Sequence, residues 1–451
     1  MRFSSPFARS AAAAALVLCC SSPALAALPI QKWQQPSGAQ VWLVESPSLP
    51  ILDVEIDFDA GDRRDPADKA GLAGITSSMT SKGILARNGE PALDENQLSE
   101  AWADLGAGFG AGAGQDRMNF TLRTLTYPDL LQKAVALGAR QLGEPSFPDN
   151  VWQRDRQRMV ASLREANTRP ATIAARTFNQ AVFGSHPYGY DTTEESLARI
   201  GVQDMRDFYR VVQPCRAKVS VVGAVNRAQA DEIVTALLSR LPAGACQPLP
   251  TVGEVAPLTA AVERNVPFAS AQAHVFIGQP GYKRSDPDYF PLLVGNYILG
   301  GGGFVSRLAE EVRQKRGLSY SVYSYFAPGL HAGAFTLGLQ TRPDQATQAV
   351  QVSRDVLRRF VAEGPTEAEM KAAKDFMVGG FALRIDSNRK LLDNLANIAW
   401  YDLPLDYLDT WTRQVEKVTA AEVKAAFARK VQPDRMVTVV VGGAAAAASR
   451  Q

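Results

Sequence analysis

Apolar and polar residues alternate along Asp53 to Asp59, with Val54, Ile56 and Phe58 on one side and Asp53, Glu55, Asp57 and Asp59 on the other. That period of two predicts a half-buried strand whose acidic face is solvated. His274 and Phe276 alternate with Val275 and Ile277 in the same way and predict another strand. Phe304, Leu308 and Val312 recur at helical spacing and Gly317 follows as a stop signal, so this stretch predicts a helix. Leu318, Tyr320 and Val322, set against Ser319, Ser321 and Tyr323, predict a strand after it. On that strand Tyr323 and Tyr325 fall opposite Tyr320 and read as packing residues. Gly300, Gly301, Gly302 and Gly303 predict a loop ahead of the helix, with no Lys-Ser/Thr ending to mark a nucleotide loop. Two later helices open with capping boxes, Thr366 with Glu369 and Thr419 with Glu422.

The chain repeats itself. Val212-Gln213-Pro214 recurs as Val431-Gln432-Pro433, and at the same offset Phe208 matches Phe427, Arg216 matches Arg435, and Val221-Val222-Gly223 matches Val440-Val441-Gly442. Asp65-Pro66 and Asp286-Pro287 stand at nearly the same separation, each after a strand-like alternation. Two copies of one unit are implied, over 27–245 and 258–445, joined by a Pro- and Gly-containing linker over 246–257. Strands and helices fall in separate runs, so the fold class is α+β: two homologous domains, each an antiparallel-rich sheet with helices packed on it.

Residues 1–26 read as a cleavable export signal, with Arg2 and Arg9, an apolar run from Ala11 to Cys20, and the small-residue site Ala24-Leu25-Ala26. The run is shorter than the roughly 18 apolar residues a membrane helix needs, and no later stretch approaches that length. A periplasmic protein without a membrane span is expected. Lipidation at Cys19 or Cys20 is the minor option, because Leu18 and Cys19 precede them where a small residue would be needed. Of 48 Lys and Arg, Arg2 and Arg9 leave with the signal and the remainder balance the 46 Asp and Glu, which gives no ground for nucleic-acid binding. Cys215 and Cys246 remain; in an oxidising compartment a disulfide between them is feasible, but the sequence supplies no geometry.

The run from Gly300 to Tyr323, GGGGFVSRLAEEVRQKRGLSYSVY, with Arg313 ahead of Tyr320, resembles the C-terminal domain of the insulinase/pitrilysin-like zinc peptidases, which include the mitochondrial processing peptidases. The resemblance covers essentially the whole mature chain and implies the two-domain architecture of that family. It implies that Arg313 and Tyr320 position a substrate carbonyl beside a zinc ion and stabilise developing negative charge. Without it, they read as an exposed helix arginine and a half-buried strand tyrosine. Gly300 to Gly303 would be either a turn that contacts peptide or only the start of a helix. Active relatives hold zinc on an H-x-x-E-H helix; here the aligned segment reads GLAGITSSM and puts Gly74, Ser77 and Ser78 at the metal and base positions. Glycine offers no ligand atom and a neutral serine hydroxyl is not a usual zinc donor. With Ser81 these residues form a small-residue stripe, expected to pack closely against a neighbour. The third ligand of the family, a glutamate, would fall near Glu165, which lies out of register between Arg164 and Arg169 and reads as a solvated ion pair. His186, His274 and His331 are scattered over different predicted elements. No metal or other cofactor is expected on this chain, and zinc is expected in a partner subunit.

Gly108 to Gly114, GFGAGAG, matches the place where active relatives present an edge strand to substrate, but its glycines favour a mobile loop. The acidic face of Asp53 to Asp59 would line a chamber if the fold encloses one; the simpler expectation is a solvated sheet face. The resemblance therefore implies a catalytically incomplete subunit, inactive alone, that pairs with a zinc-bearing insulinase-like homologue as a heterodimer and hydrolyses peptides. The alternative is a non-enzymatic peptide-binding or assembly protein of the same fold. A self-sufficient peptidase conflicts with Gly74, Ser77 and Ser78.

Overall fold

The computed structural model describes residues 29–442. The export signal, its cleavage site and Cys19 and Cys20 lie outside them. Eleven strands form two sheets of closely matched order. The first sheet contains β1 (Gln31–Gln34), β2 (Gln40–Glu45), β3 (Ile51–Phe58), β6 (Gly108–Ala113), β7 (Met118–Leu125) and β8 (Lys218–Gly223), ordered β1-β2-β8-β3-β7-β6. A separate two-stranded ribbon pairs β4 (Gly83–Ile84) with β5 (Leu93–Asp94). The second sheet contains β9 (Val262–Val266), β10 (Ala273–Pro280), β11 (Ser321–Phe326), β12 (Ala334–Thr341) and β13 (Val437–Val441), ordered β11-β12-β10-β13-β9.

Read from β2 and from β9, the two orders coincide. In each sheet one parallel pair, β2 with β8 and β9 with β13, adjoins three antiparallel pairs. The repeated Val-Val-Gly segments are the ends of the equivalent strands β8 and β13. β1 is an addition to the first sheet. GFGAGAG forms β6, paired with β7 from Gly108 opposite Arg123 to Ala113 opposite Met118. The loop expectation fails there because the small residues lie flat beside a well-patterned neighbour, whose hydrogen bonds supply what their side chains do not.

Each sheet is covered on one face by helices of its own half. Val54, Ile56 and Phe58 meet Val135, Leu142 and Leu237 in one buried cluster, and Val275 and Ile277 meet Leu357 and Phe360 in another. The opposite faces are covered by exchange. The helix Pro170–Phe183 of the first half packs across β10 and β13, while the helix Asn388–Trp400 of the second half packs across β3 and β8. Phe178 lies 5.5 Å from Phe276, ring centre to ring centre, inside a cluster with Val437, Val439 and Val441. Gly278 permits this approach: a Cβ there would sit 2.8 Å from Phe178 and 2.0 Å from the Phe335 carbonyl oxygen.

The reciprocal contact overturns the expectation of a solvated acidic face. Asp53, Glu55 and Asp57 are buried beneath the helix Asn388–Trp400. Arg123 Nη1 lies 2.9 Å from Asp53, and Arg117 lies 3.1 Å from Asp57 and 3.9 Å from Glu55. Arg117 also donates to the Ala396 carbonyl at 3.3 Å, and Lys218 donates to the Ala399 and Trp400 carbonyls at 2.8 and 3.1 Å. Two cations of the first sheet thus satisfy the carboxyl end of a helix from the second half, where orphan carbonyls favour positive charge. Burial pushes the carboxyls of Asp53, Glu55 and Asp57 above the ordinary range, Asp57 by far, against the opposing pull of Arg123 and Arg117.

Cys215 and Cys246 are joined in a disulfide, Cα to Cα 6.0 Å, which pins the start of the linker beside β8. The Thr366/Glu369 and Thr419/Glu422 capping boxes both form. No helix among the described residues is long and apolar enough to cross a membrane.

Candidate functional site

The helix Tyr289–Asn296 does not end cleanly but widens into a π-wound turn over Tyr297–Gly301. Gly300 and Gly301 therefore belong to a helical turn, and the four glycines are not one loop. Gly300 is held against β11, where a Cβ would come within 2.4 Å of Ser324 Oγ. Asn296 fastens the same contact, donating to the Ser324 carbonyl at 3.1 Å and accepting from Ser324 Oγ at 2.8 Å. Gly303, at φ +61°, turns the chain into a short 3-10 segment, Gly303–Val305.

A second π-wound stretch, Ala309–Gln314, carries Arg313. Leu308 and Val312 are buried as their spacing predicts, but Phe304 lies before the helix and is 64% exposed. Its place is explained by Arg313, whose guanidinium stands between two rings, 4.3 Å from the centre of Phe304 and 4.6 Å from that of Tyr320. Gln314 secures the fold-back by donating to the Phe304 carbonyl at 2.8 Å. The helix ends at Gly317, φ +60°, a left-handed stop as expected. The strand begins only at Ser321, so Leu318 and Tyr320 precede it. Tyr320 is 80% exposed. Tyr323 and Tyr325 are also exposed and stack on each other at 6.0 Å, because β11 is an edge strand and that face has no covering layer. Among the described residues Arg313 has no carboxylate partner and the Tyr320 hydroxyl no hydrogen bond. A cation stacked on rings with its N–H edge free is suited to receive a carbonyl or an anion.

Gly74, Ser77 and Ser78 lie on the helix Leu72–Met79, alongside β6. Ser77 Oγ donates to the Gly74 carbonyl at 2.8 Å and Ser78 Oγ to the Ile75 carbonyl at 2.9 Å, so both hydroxyl protons are spent within the helix. A Cβ at Gly74 would meet nothing within 4 Å, and Ser78 and Ser81 are exposed, so the stripe is not the close-packing surface expected of it. Glu165 pairs with Arg169 in the open, while Arg164 turns instead to Glu194 at 2.7 Å. These donors do not fit zinc. Among the described residues no three His, Cys, Asp or Glu side chains converge as a metal site.

The scan against known families matches the description "Insulinase (Peptidase family M16)" over residues 40–195 and "Peptidase M16 inactive domain" over 199–377. The crystal structure of a peptidase M16 inactive domain from Pseudomonas fluorescens is 32% identical, superimposes with a TM-score of 0.86, and matches 92% of this chain and 97% of its own. The chain belongs to the M16 family. The non-peptidase homolog YmxG of Helicobacter pylori is 26% identical over 84% of this chain and 86% of its own length. An uncharacterized zinc protease of Mycobacterium leprae is 27% identical over 90% of each. The first match covers Gly74, Ser77 and Ser78, and the inactive-domain match covers Arg313 and Tyr320. A chain with no donor at the motif positions fits the inactive class of M16 proteins.

One cluster escaped the sequence reading. His186 and His331, far apart in the chain, meet at the junction of the M16 domains with ring centres 5.2 Å apart; only His274 stands alone, on β10. His186 Nδ1 accepts from the Tyr188 N–H at 3.1 Å, which leaves Nε2 to donate to the Gly253 carbonyl at 3.0 Å. Asp116 accepts from the Tyr188 hydroxyl at 2.6 Å and the Leu330 N–H at 2.9 Å, and forms an ion pair with Arg63, whose Nε lies 3.1 Å away. This is a structural junction held mainly by Asp116, in which Arg63 Nε and His331 Nδ1 are buried without a hydrogen-bond partner. Its only trace in the sequence is a set of polar residues inside loop-like stretches.

Proposed function

We propose that this chain is the non-metal subunit of a two-chain M16 peptidase, exported to the periplasm, where it pairs with a zinc-bearing M16 homologue. The observation that carries the reading is Arg313, an unpaired guanidinium stacked between Phe304 and the exposed Tyr320. In this arrangement the partner contributes the metal and the base. Arg313 donates to a substrate carbonyl through its free N–H edge, and the Tyr320 hydroxyl supplies a second donor, so both favour the charge that develops on that oxygen. The free edge of β6, beside the degenerate helix, offers main-chain groups for an extended peptide. Alone, the chain lacks a means of activating water at Gly74, Ser77 and Ser78 and is inactive.

The test is recovery of the tagged mature chain from its native compartment, with identification of bound chains and assay of peptide hydrolysis with and without chelator. A zinc-bearing homologue and chelator-sensitive hydrolysis that falls in Arg313→Ala support the reading. Full activity of Arg313→Ala and Tyr320→Phe in the reconstituted pair would remove it. A second reading, a peptide-binding protein without catalysis, is favoured by the similarity to the non-peptidase homolog. It predicts recovery of the chain with peptides but no peptidase partner.

A further inference from the structure

A cavity of about 280 Å³ lies between the helix Asn388–Trp400, the helix Tyr407–Lys417 and the turn Phe381–Arg384, away from Arg313 and Tyr320 in the chain and sharing no lining residue with them. Its lining combines two features. The first is uncompensated positive charge. Arg284 and Arg384 both line the cavity, no carboxylate does, and neither arginine has an ion-pair partner among the described residues. The second is an aromatic frame. The Arg284 guanidinium lies 3.8 Å over the Tyr289 ring and 5.3 Å from the Tyr407 ring, and it donates to the Tyr407 hydroxyl at 2.7 Å. Trp411 stacks on Phe381 at 4.9 Å, with Arg384 5.1 Å from its ring.

The frame holds Arg284 by one hydrogen bond and by its face. Its other N–H groups have no protein acceptor and are not among the buried orphans, and Arg284 lines the cavity. A guanidinium fixed in this way presents a planar fork that matches a carboxylate bidentately. Trp411 and Phe381 line the cavity beside it but are themselves buried and stacked on each other. The volume is below the range of about 300–1,000 Å³ usual for drug-sized ligands, so it admits one terminal residue and not a length of chain. We propose that this cavity binds the C-terminal carboxylate of a peptide. The assignment requires neither a partner subunit nor a metal.

Calorimetric titration of the full mature chain with Gly-Gly-Ala-Phe, with its C-terminal amide and with free phenylalanine tests it. The acid peptide should bind at least about ten-fold more tightly than the amide, the loss of one charge-assisted pair. Arg284→Gln should abolish that preference, and the exposed Arg384→Gln, which leaves the tyrosine frame intact, should reduce it. Equal binding of acid and amide, or no binding of the acid peptide, overturns the proposal. Tighter binding of free phenylalanine than of the peptide would overturn the peptide assignment in favour of a free amino acid. All these readouts are independent of hydrolysis, so they separate this site from the peptidase reading.

Discussion

Arg313 occupies a position that stability alone does not explain, since a half-exposed guanidinium between two rings gains only about 1 kcal/mol from them. Its removal should cost little folding free energy. In the reconstituted pair, by contrast, Arg313→Ala should lower kcat about 10²- to 10³-fold, the usual loss of one oxyanion donor, and Tyr320→Phe should act in the same direction. Steady-state kinetics beside a urea titration separates the two effects. Gly74 gives a prediction of opposite sign. It sits in the helix Leu72–Met79 with open space where a Cβ would go, so Gly74→Ala should raise unfolding free energy by roughly 0.5–1 kcal/mol. The midpoint of urea unfolding checks it. The missing zinc donors at 74, 77 and 78 were legible in the sequence because ligation depends on which atoms a side chain carries. The burial of Asp53, Glu55 and Asp57 was not, because what covers them comes from the other half of the chain and leaves no mark on their alternation.

At the scale of elements, the repeat and the capping boxes could be read directly, since each is written in neighbouring residues. The π-wound turns could not. A single extra residue in the turn Ala309–Gln314 leaves the apolar spacing of Leu308 and Val312 almost unchanged, while Phe304 lies ahead of it in a separate 3-10 turn and folds back onto Arg313. The exchanged helices tie the two halves together. Leu395 is fully buried in the cluster that also holds Trp42 and Val222 of the first sheet. Leu395→Ala should cost about 2–5 kcal/mol, as cavities in tight cores do. It should destabilise both halves together, with fluorescence and circular dichroism reporting one shared transition. Separate transitions would show that the halves fold independently of the exchange.

At the scale of the molecule, the buried carboxylates set a pH dependence. Burial pushes Asp62 up to about 6 and Asp65 up to about 7, the latter against hydrogen bonds from the Ala73 and Gly71 N–H groups, and raises Asp53, Glu55 and Asp57 as well. A carboxyl with a raised native pKa binds its proton more tightly when folded, so its contribution is full in acid and is lost as pH rises through the native value. In the opposite sense, the hydrogen bond from Arg154 holds Glu95 down to about 2, a contribution lost as pH falls towards that value. Unfolding free energy should therefore fall as pH rises from about 4 to about 7. Asp65→Asn should flatten that slope, measured by urea titrations across the range. The exchange of helices also bears on how such a chain came to exist. A half-length ancestor with the same packing could not have buried its sheet by itself, and would have had to borrow that helix from a second copy. On this view the chain is a homodimer made permanent by fusion. Once the copies were joined they were free to diverge, one acquiring a charged seam around Asp57 and the other an apolar one around Phe276.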